Sequence, residues 1–302
     1  MKSTVQNRAY AEFPVDRFDG TCSRSVRDVL AVEEPLEIRL VYGERSRREA
    51  KSISVTMRTP GHDAELAAGF LLTEGVIRDG TEIARIHSSR EDASTRTNDD
   101  AAAQTVHAGG EAANYVTVEL EPEVEVALAT LERNFYTTSS CGVCGKASLL
   151  ALRAVCPPRI ESSFAMRAST LYELPHGLRE SQGVFDRTGG LHAAALFNGE
   201  GELDLLREDV GRHNAVDKLI GTALLADRIP LRDRMLMLSG RASFELVQKA
   251  VMGGIAMIAA VGAPSSFAVQ VAKEFDVTLV GFLREDHFNV YHGAGRVLGA
   301  AE

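Results

Sequence analysis

Met235-Leu236-Met237-Leu238-Ser239-Gly240-Arg241-Ala242-Ser243 is the stretch whose reading decides the fold. Its opening apolar residues run without alternation, as in a strand covered on both faces, and the Ser-Gly-Arg that follows reads as a turn. Leu246, Val247, Ala250 and Val251 then share one face of a helix. The unit repeats downstream. Ile255 to Val261 reads as a second strand, Gly262-Ala263-Pro264-Ser265-Ser266 as a second turn, Phe267 to Phe275 as a second helix and Val277 to Leu283 as a third strand. Strands and helices alternating in this way predict parallel strands joined by right-handed crossovers.

In such a sheet every strand-to-helix turn emerges at the same carboxyl edge. Ser239, Gly240 and Arg241, the 262–266 turn and the segment after Leu283 are therefore expected to converge. Both helices start beside glycine or serine, so their free N–H groups and positive dipole ends suit a phosphate. Arg241 and Arg284 add planar donors. Gly, Ser and Pro populate ordinary α/β turns as well, and it is the coincidence of two arginines with the turns that favours a binding site.

Upstream, Leu191 to Phe197 and Glu202 to Leu206 flank Asn198-Gly199-Glu200-Gly201, a hairpin signal. Glu208-Asp209-Val210-Gly211-Arg212-His213-Asn214 leads into a helix with Val216, Leu219, Ile220, Ala223 and Leu224 inward. Its Gly-Arg-His-Asn cluster offers donors to an anion or a guanine edge; equally, Asn214 reads as a simple N-cap. In the first half, Leu36 to Gly43 and Ser52 to Met57 alternate with period two, as an antiparallel hairpin does. Thr59 to Asp63 forms a turn before a helix carrying Leu66, Ala67, Phe70 and Leu71 and ending near Gly75. Residues 88–113 hold Val106 as their sole large aliphatic side chain and read as a mobile surface insertion. Tyr115 to Leu120 is a strand, and an amphipathic run from Val124 to Phe135 follows. The expected domains are 1–136 and 137–302.

The chain has 302 residues, 45% of them apolar, and a formal charge of -9. That charge argues against generic nucleic-acid binding, which needs clustered cations to neutralise phosphates. The cluster Arg45, Arg47, Arg48 and Lys51 reads chiefly as a solvated face. The N-terminus has no apolar targeting core, and the apolar stretch from Gly253 to Ala263 is too short to span a bilayer, so the expectation is a cytoplasmic protein without membrane contact.

Soft sulfur chemistry is concentrated in Cys141-Gly142-Val143-Cys144-Gly145-Lys146; the other cysteines, Cys22 and Cys156, stand alone. A thiol with a pKa of ~8.5 becomes reactive when a helix start or a cation lowers it, and Lys146 with a helix beginning near Ala147 provides both aids. Cys141 or Cys144 can then take sulfur as a persulfide and surrender it as the second thiol closes a disulfide. A structural zinc needs about four ligands that this spacing does not offer, so no metal is expected. A deaminase-type zinc site needs His-x-Glu, which is absent from the sequence. A thioredoxin-like dithiol remains a weak rival.

With these residues in view, the chain resembles the formate dehydrogenase accessory sulfurtransferase family, FdhD. The resemblance rests on Glu34-Pro35-Leu36-Glu37-Ile38, the run from Thr59-Pro60-Gly61-His62-Asp63 to Thr73-Glu74-Gly75, and Ser140-Cys141-Gly142-Val143-Cys144-Gly145. It continues in Thr188-Gly189-Gly190-Leu191-His192, Glu208 to Lys218, Ser239 to Glu245 and Gly281-Phe282-Leu283-Arg284.

The resemblance implies a sulfurtransferase that accepts sulfur from a cysteine desulfurase and passes it to the molybdenum cofactor, in its bis-molybdopterin guanine dinucleotide form, before that cofactor enters formate dehydrogenase. Cys141 matches the persulfide carrier and Cys144 its partner. The family's cofactor-binding segment matches Phe282, Leu283, Arg284, Glu285, Asp286 and His287, which is the third converging loop, so Ser239, Gly240 and Arg241 join it as cofactor-binding candidates. GDP, a fragment of that cofactor, is the expected small ligand. Glu285 and Asp286 depart from the family pattern, which usually has glycine after the arginine. The resemblance also implies a homodimer and a C-terminal domain like cytidine deaminase without its zinc. The expected fold class is thus α/β: a C-terminal three-layer cytidine deaminase-like domain with a mixed sheet, plus a smaller N-terminal antiparallel α+β domain. A non-catalytic cofactor chaperone and a dithiol redox protein stay open as alternatives.

Overall fold

The computed structural model describes residues 9–89, 114–126, 149, 152–157 and 161–299. Cys141, Cys144, the expected boundary after residue 136, the 88–113 insertion beyond Ser89 and most of the 124–135 run lie outside these residues.

The chain opens with a hairpin of β1 (Tyr10–Asp19) and β2 (Cys22–Ala31), paired in register from Tyr10↔Ala31 to Asp19↔Cys22. Gly20 takes φ 61° as the first of the two loop residues Gly20-Thr21 between Asp19 and Cys22, the position where a tight hairpin turn calls for glycine. A four-stranded sheet follows, built from β3 (Glu34–Tyr42), β4 (Glu49–Arg58), β5 (Ile83–Ser88) and β6 (Tyr115–Leu120) in the order β4-β3-β6-β5. The β3–β4 hairpin is antiparallel as expected, but β3 and β6 run parallel, so this sheet is mixed rather than antiparallel. The reason is the intervening α1 (Asp63–Thr73), which carries the chain from β4 across to β5 and so supplies the long connection a parallel pair needs. Asp63 and Glu65 lie in the first turn of α1, where acids favour the dipole, and Glu65 reaches back to His62 Nδ1 at 3.0 Å.

The second half carries a short β7 (Met166–Arg167), α2 (Ala168–Ser181), α3 (Gly183–Thr188), β8 (His192–Phe197), β9 (Leu203–Asp209) and α4 (Arg212–Leu225). Then come β10 (Met235–Leu238), α5 (Phe244–Met252), β11 (Met257–Ala260), α6 (Ser266–Phe275), β12 (Thr278–Gly281), β13 (Asn289–His292) and β14 (Val297–Leu298). Six strands form a mixed sheet in the order β13-β12-β11-β10-β8-β9. β10, β11 and β12 are parallel, while β8, β9 and β13 run against their neighbours. Alternation splits this sheet between two cores. Leu236, Leu238, Ile258 and Leu279 face α4, α5 and α6, whereas Met235, Met237, Ala195 and Phe197 face Leu171, Leu174 and Leu178 of α2.

The first core does not stop at α4. It continues through Leu66, Ala67 and Leu71 of α1 to Leu36, Ile38, Leu40, Val116 and Val118 on the inner face of the four-stranded sheet. α1 and α4 cross at Gly69 and Gly221: a Cβ on Gly69 would sit 1.9 Å from Asp217 O, and one on Gly221 would sit 1.8 Å from Glu65 O. Buried ion pairs flank the crossing. Lys249 Nζ lies 3.0 Å from Asp217 Oδ1 and 3.1 Å from Glu74 Oε1, and Lys218 Nζ lies 2.6 Å from Asp209 Oδ2. Thr59 N–H donates to Asp209 at 3.1 Å and Lys218 donates to Thr59 O at 2.8 Å, so the segment before α1 is bonded to β9 and α4.

Candidate functional site at the carboxyl edge of the sheet

The expected turns do converge. Gly262 N–H donates to Gly240 O at 2.9 Å, Ala242 N–H to Ala263 O at 3.2 Å, and Phe282 N–H to Gly262 O at 3.2 Å. Gly262 has to be glycine, because a Cβ there would lie 2.9 Å from Arg241 Cα. The third turn is strained: Phe282, 38% exposed, holds φ 54°, a conformation that costs a bulky residue free energy and is common at functional loops. Ser239 is tied into the sheet, its Oγ accepting from Ala193 N–H at 2.8 Å.

The two arginines differ. Arg241 is exposed and its guanidinium bonds to no described residue. Arg284 is also exposed but donates through Nη1 to Val261 O at 2.7 Å and Leu283 O at 2.8 Å, so it organises the loop while leaving other donors outward. Glu285, Asp286 and His287 are exposed, with Asp286 and His287 paired at 2.7 Å, and Leu283 is fully buried. Leu283 therefore anchors the loop from below. Of the helix starts, that of α6 is closed by Ser265 Oγ, which accepts from Ala268 N–H, while those of α5 and α4 have no side-chain cap.

The Gly-Arg-His-Asn cluster joins the same edge. Asn214 does not cap α4; Gly211 does, and Asn214 sits in the first turn, buried, donating to Asp209 Oδ1 at 3.0 Å and Met57 O at 2.8 Å. Its amide is needed there to satisfy buried acceptors. His213 Nε2 faces Ser243 Oγ at 3.4 Å, so the starts of α4 and α5 meet. Burial, with Lys249 and Arg212 nearby, pushes His213 down to about 4, and burial beside Arg212 also lowers His192. The edge is thus lined by neutral imidazoles. Arg212 Nε is buried with no partner among the described residues. Arg48, by contrast, donates to Gly43 O and Leu120 O, which makes this residue of the basic cluster a support for the β3–β4 turn.

A family model described as the FdhD/NarQ family matches residues 31–298. The chain belongs to that family. It is 52% identical over 272 residues to a sulfur carrier protein FdhD of Streptomyces coelicolor, covering 89% of each chain. It is 51% identical over 277 residues to one of Mycolicibacterium paratuberculosis, covering 89% of this chain and 92% of the relative. A crystal structure reported for a formate dehydrogenase accessory protein of Desulfotalea psychrophila superposes with a TM-score of 0.68 at 23% identity, over 96% of this chain and 100% of that one, and shows the same fold. The β1–β2 hairpin precedes the matched range.

In this FdhD/NarQ member the edge opens into a cleft of about 670 Å3 between the 239–261 turns and the α2–α3 corner, within the usual size for a small-molecule site. Gln182, Arg179 and Phe185 form the helical wall; His192, Ser239 and Glu285 form the sheet wall. Gln182 is 5% exposed, yet its side-chain amide bonds to no described residue, and Arg179 lies over the Phe185 ring at 4.5 Å. Sequence reading missed this wall. A polar glutamine at a helix–helix corner carries no periodic signal, and His192 looked like part of a strand. Among the described cysteines, Cys156 is buried and its thiol is pushed up to about 12, so it is inert, while Cys22 is exposed on the hairpin. No described helix is long and apolar enough to cross a membrane.

Proposed function

We propose that this chain is a cytoplasmic, homodimeric sulfur carrier that takes sulfur from a cysteine desulfurase as a Cys141 persulfide. It passes that sulfur to the molybdenum cofactor, as the bis-molybdopterin guanine dinucleotide, before the cofactor enters formate dehydrogenase. The family membership supports the carrier role. The observation that carries the substrate assignment is the meeting, at one edge, of three backbone turns, two helix starts without a side-chain cap and an Arg241 with no partner among the described residues, in a protein of net charge -9. Such an edge concentrates donors for an anionic nucleotide where the rest of the surface repels it.

In the first step the Cys141 thiolate attacks the terminal sulfur of the desulfurase persulfide, and the desulfurase thiolate leaves. In the second, the Cys144 thiolate attacks Cys141 Sγ, forming a disulfide and expelling sulfide to the bound cofactor; two electrons from a cellular dithiol then restore both thiols. The pyrophosphate lies against Arg241 and the α4 and α5 starts. The guanine lies in the cleft, where the Gln182 amide both donates and accepts and the Glu285 carboxylate accepts from the N1–H and N2–H edge. The six-stranded sheet between helical layers supports the cytidine deaminase-like assignment of this half.

Mass spectrometry after incubation with a desulfurase and cysteine tests the carrier. A gain of one sulfur, lost in Cys141→Ala while the melting temperature is unchanged, is expected. A chain that gains no sulfur yet still supports formate dehydrogenase maturation as Cys141→Ala is a chaperone, and the transfer steps fail.

A further inference from the structure

Glu208 and Asp209 close β9 with adjacent carboxylates, and the alternation of a strand turns them to opposite layers. Asp209 is buried against Lys218 and Thr59. Glu208 faces the other way, toward α3, and is half-buried. Its Oε2 accepts from Val184 N–H at 3.0 Å and its Oε1 from Phe185 N–H at 2.8 Å. Both belong to the first turn of α3, whose N–H groups have no partner within the helix, and the residue at its cap supplies no side-chain bond. A carboxylate that accepts two backbone bonds in this way is a strong two-point tie.

Apolar packing does not hold this corner. No residue of α3 is buried, so the burial that fixes α4, α5 and α6 is missing from it. Its internal bonds, Gly189 N–H to Phe185 O at 2.6 Å and Thr188 Oγ1 to Val184 O at 2.9 Å, shape the helix without attaching it to the sheet. Glu208 does attach it. On β9 it is in register with Ala193 of β8, the neighbour of His192 in the sheet wall of the cleft. On the helical wall it grips Phe185 directly. Gln182 O accepts from Asp186 N–H at 3.0 Å, and Arg179 lies over the Phe185 ring while pairing with Asp186 at 3.2 Å, so Gln182 and Arg179 move with the same corner. Glu208 itself is not part of the cleft lining.

We infer that Glu208 is the positioning residue of the cleft. Its carboxylate, by holding Val184 and Phe185 N–H, sets the distance between the helical wall and the sheet wall, and with it the affinity for the base, which it does not touch. This role rests on the placement of the guanine in the cleft and of the pyrophosphate against Arg241 and the α4 and α5 starts. It is therefore confined to one end of the ligand: loosening the corner weakens the hold on the base and spares the phosphates. A wall displaced by about 1 Å is enough to spoil hydrogen bonds and stacking that depend on it.

Calorimetry of the full chain with GDP and with inorganic pyrophosphate, beside amide hydrogen exchange, tests this role. Glu208→Ala is expected to weaken GDP binding about tenfold, to leave pyrophosphate binding unchanged and to speed exchange at Val184 and Phe185. Glu208→Gln, which keeps one accepting oxygen, is expected to lose less, and it reads the same ratio of affinities should Glu208→Ala not fold. Leu205→Ala removes packing from the other face of the same strand, and is expected to lower Tm while leaving that ratio as in the parent. Equal loss of GDP and pyrophosphate binding in the Glu208 variants, or unchanged exchange at Val184 and Phe185, overturns the inference. GDP binding weakened by Gln182→Ala but not by the Glu208 variants also overturns it, while the guanine stays in the cleft. If neither change weakens GDP binding, or the parent binds no GDP, the base lies elsewhere, and the cleft assignment and the role of Glu208 fall together.

Discussion

Gly221→Ala offers the most direct test of how the two halves are joined. The new methyl would lie 1.8 Å from Glu65 O, with Gly69 N at 2.7 Å, and neither atom can rotate aside because both belong to the backbone of α1. Restoring contact distance requires the helices to separate by on the order of 1.5 Å. Leu66, Ala67, Val216 and Ile220 then lose close packing, and the bond from Thr73 Oγ1 to Asp217 Oδ1, now 2.7 Å, is stretched. Overpacking of this kind costs about 1–3 kcal/mol, and the rigidity of the obstacle places it at the upper end. Alanine in a helix interior returns about 1 kcal/mol relative to glycine. The net loss of about 2 kcal/mol corresponds to a fall in Tm of about 4–8 °C. Thermal melting followed by circular dichroism measures it, and Gly177→Ala serves as the control. There the nearest atom is Phe197 Cε1 at 3.9 Å, so the same substitution is expected to be neutral or stabilising. If Gly221→Ala melts at or above the parent temperature, the helices do not approach as described.

Three further outcomes are expected. Arg241→Ala should weaken GDP binding by about tenfold without lowering Tm, since its guanidinium bonds to no described residue; Arg284→Ala should weaken binding and also loosen the loop, and calorimetry finding GDP binding unaltered in both would place the nucleotide elsewhere. His213 titrates at about 4 when folded and near 6.5 when unfolded, so the unfolded chain binds the proton first. Stability is therefore full above about pH 6.5 and falls as pH drops toward 4, by up to about 3 kcal/mol, and urea titrations of His213→Gln should lack that part of the slope. Deleting residues 90–112 should leave Tm nearly unchanged, because β5 and β6 already pair at Ser88↔Val116 and a short loop can join them; a large drop would mean that the segment is docked.

The second half was legible because its strands and helices each bury a continuous or periodic apolar face. The turns after β10, β11 and β12 followed from topology alone, and their convergence needed no side-chain detail. What the sequence concealed depends on distant partners. The parallel β3–β6 pairing is fixed by where α1 delivers the chain, Asn214 is buried because Asp209 and Met57 O require its amide, and Gln182 matters because of a cleft that exists only after α2 and α3 dock. The β1–β2 hairpin was not read from the sequence, because its two strands alternate no buried apolar residues against the described part of the chain.

The helix crossing also governs the order in which this protein can be made. α1 emerges from the ribosome early; the four-stranded sheet can cover part of its apolar surface, but the Gly69 face is covered by α4, which begins only at Arg212. A nascent chain carries that bare helix face through most of its synthesis, so the first half stays incompletely packed until the second arrives. Truncated chains ending before α4 should be substrates for chaperones and proteases, and the late-made helix acts as the latch that commits the whole polypeptide to its native state.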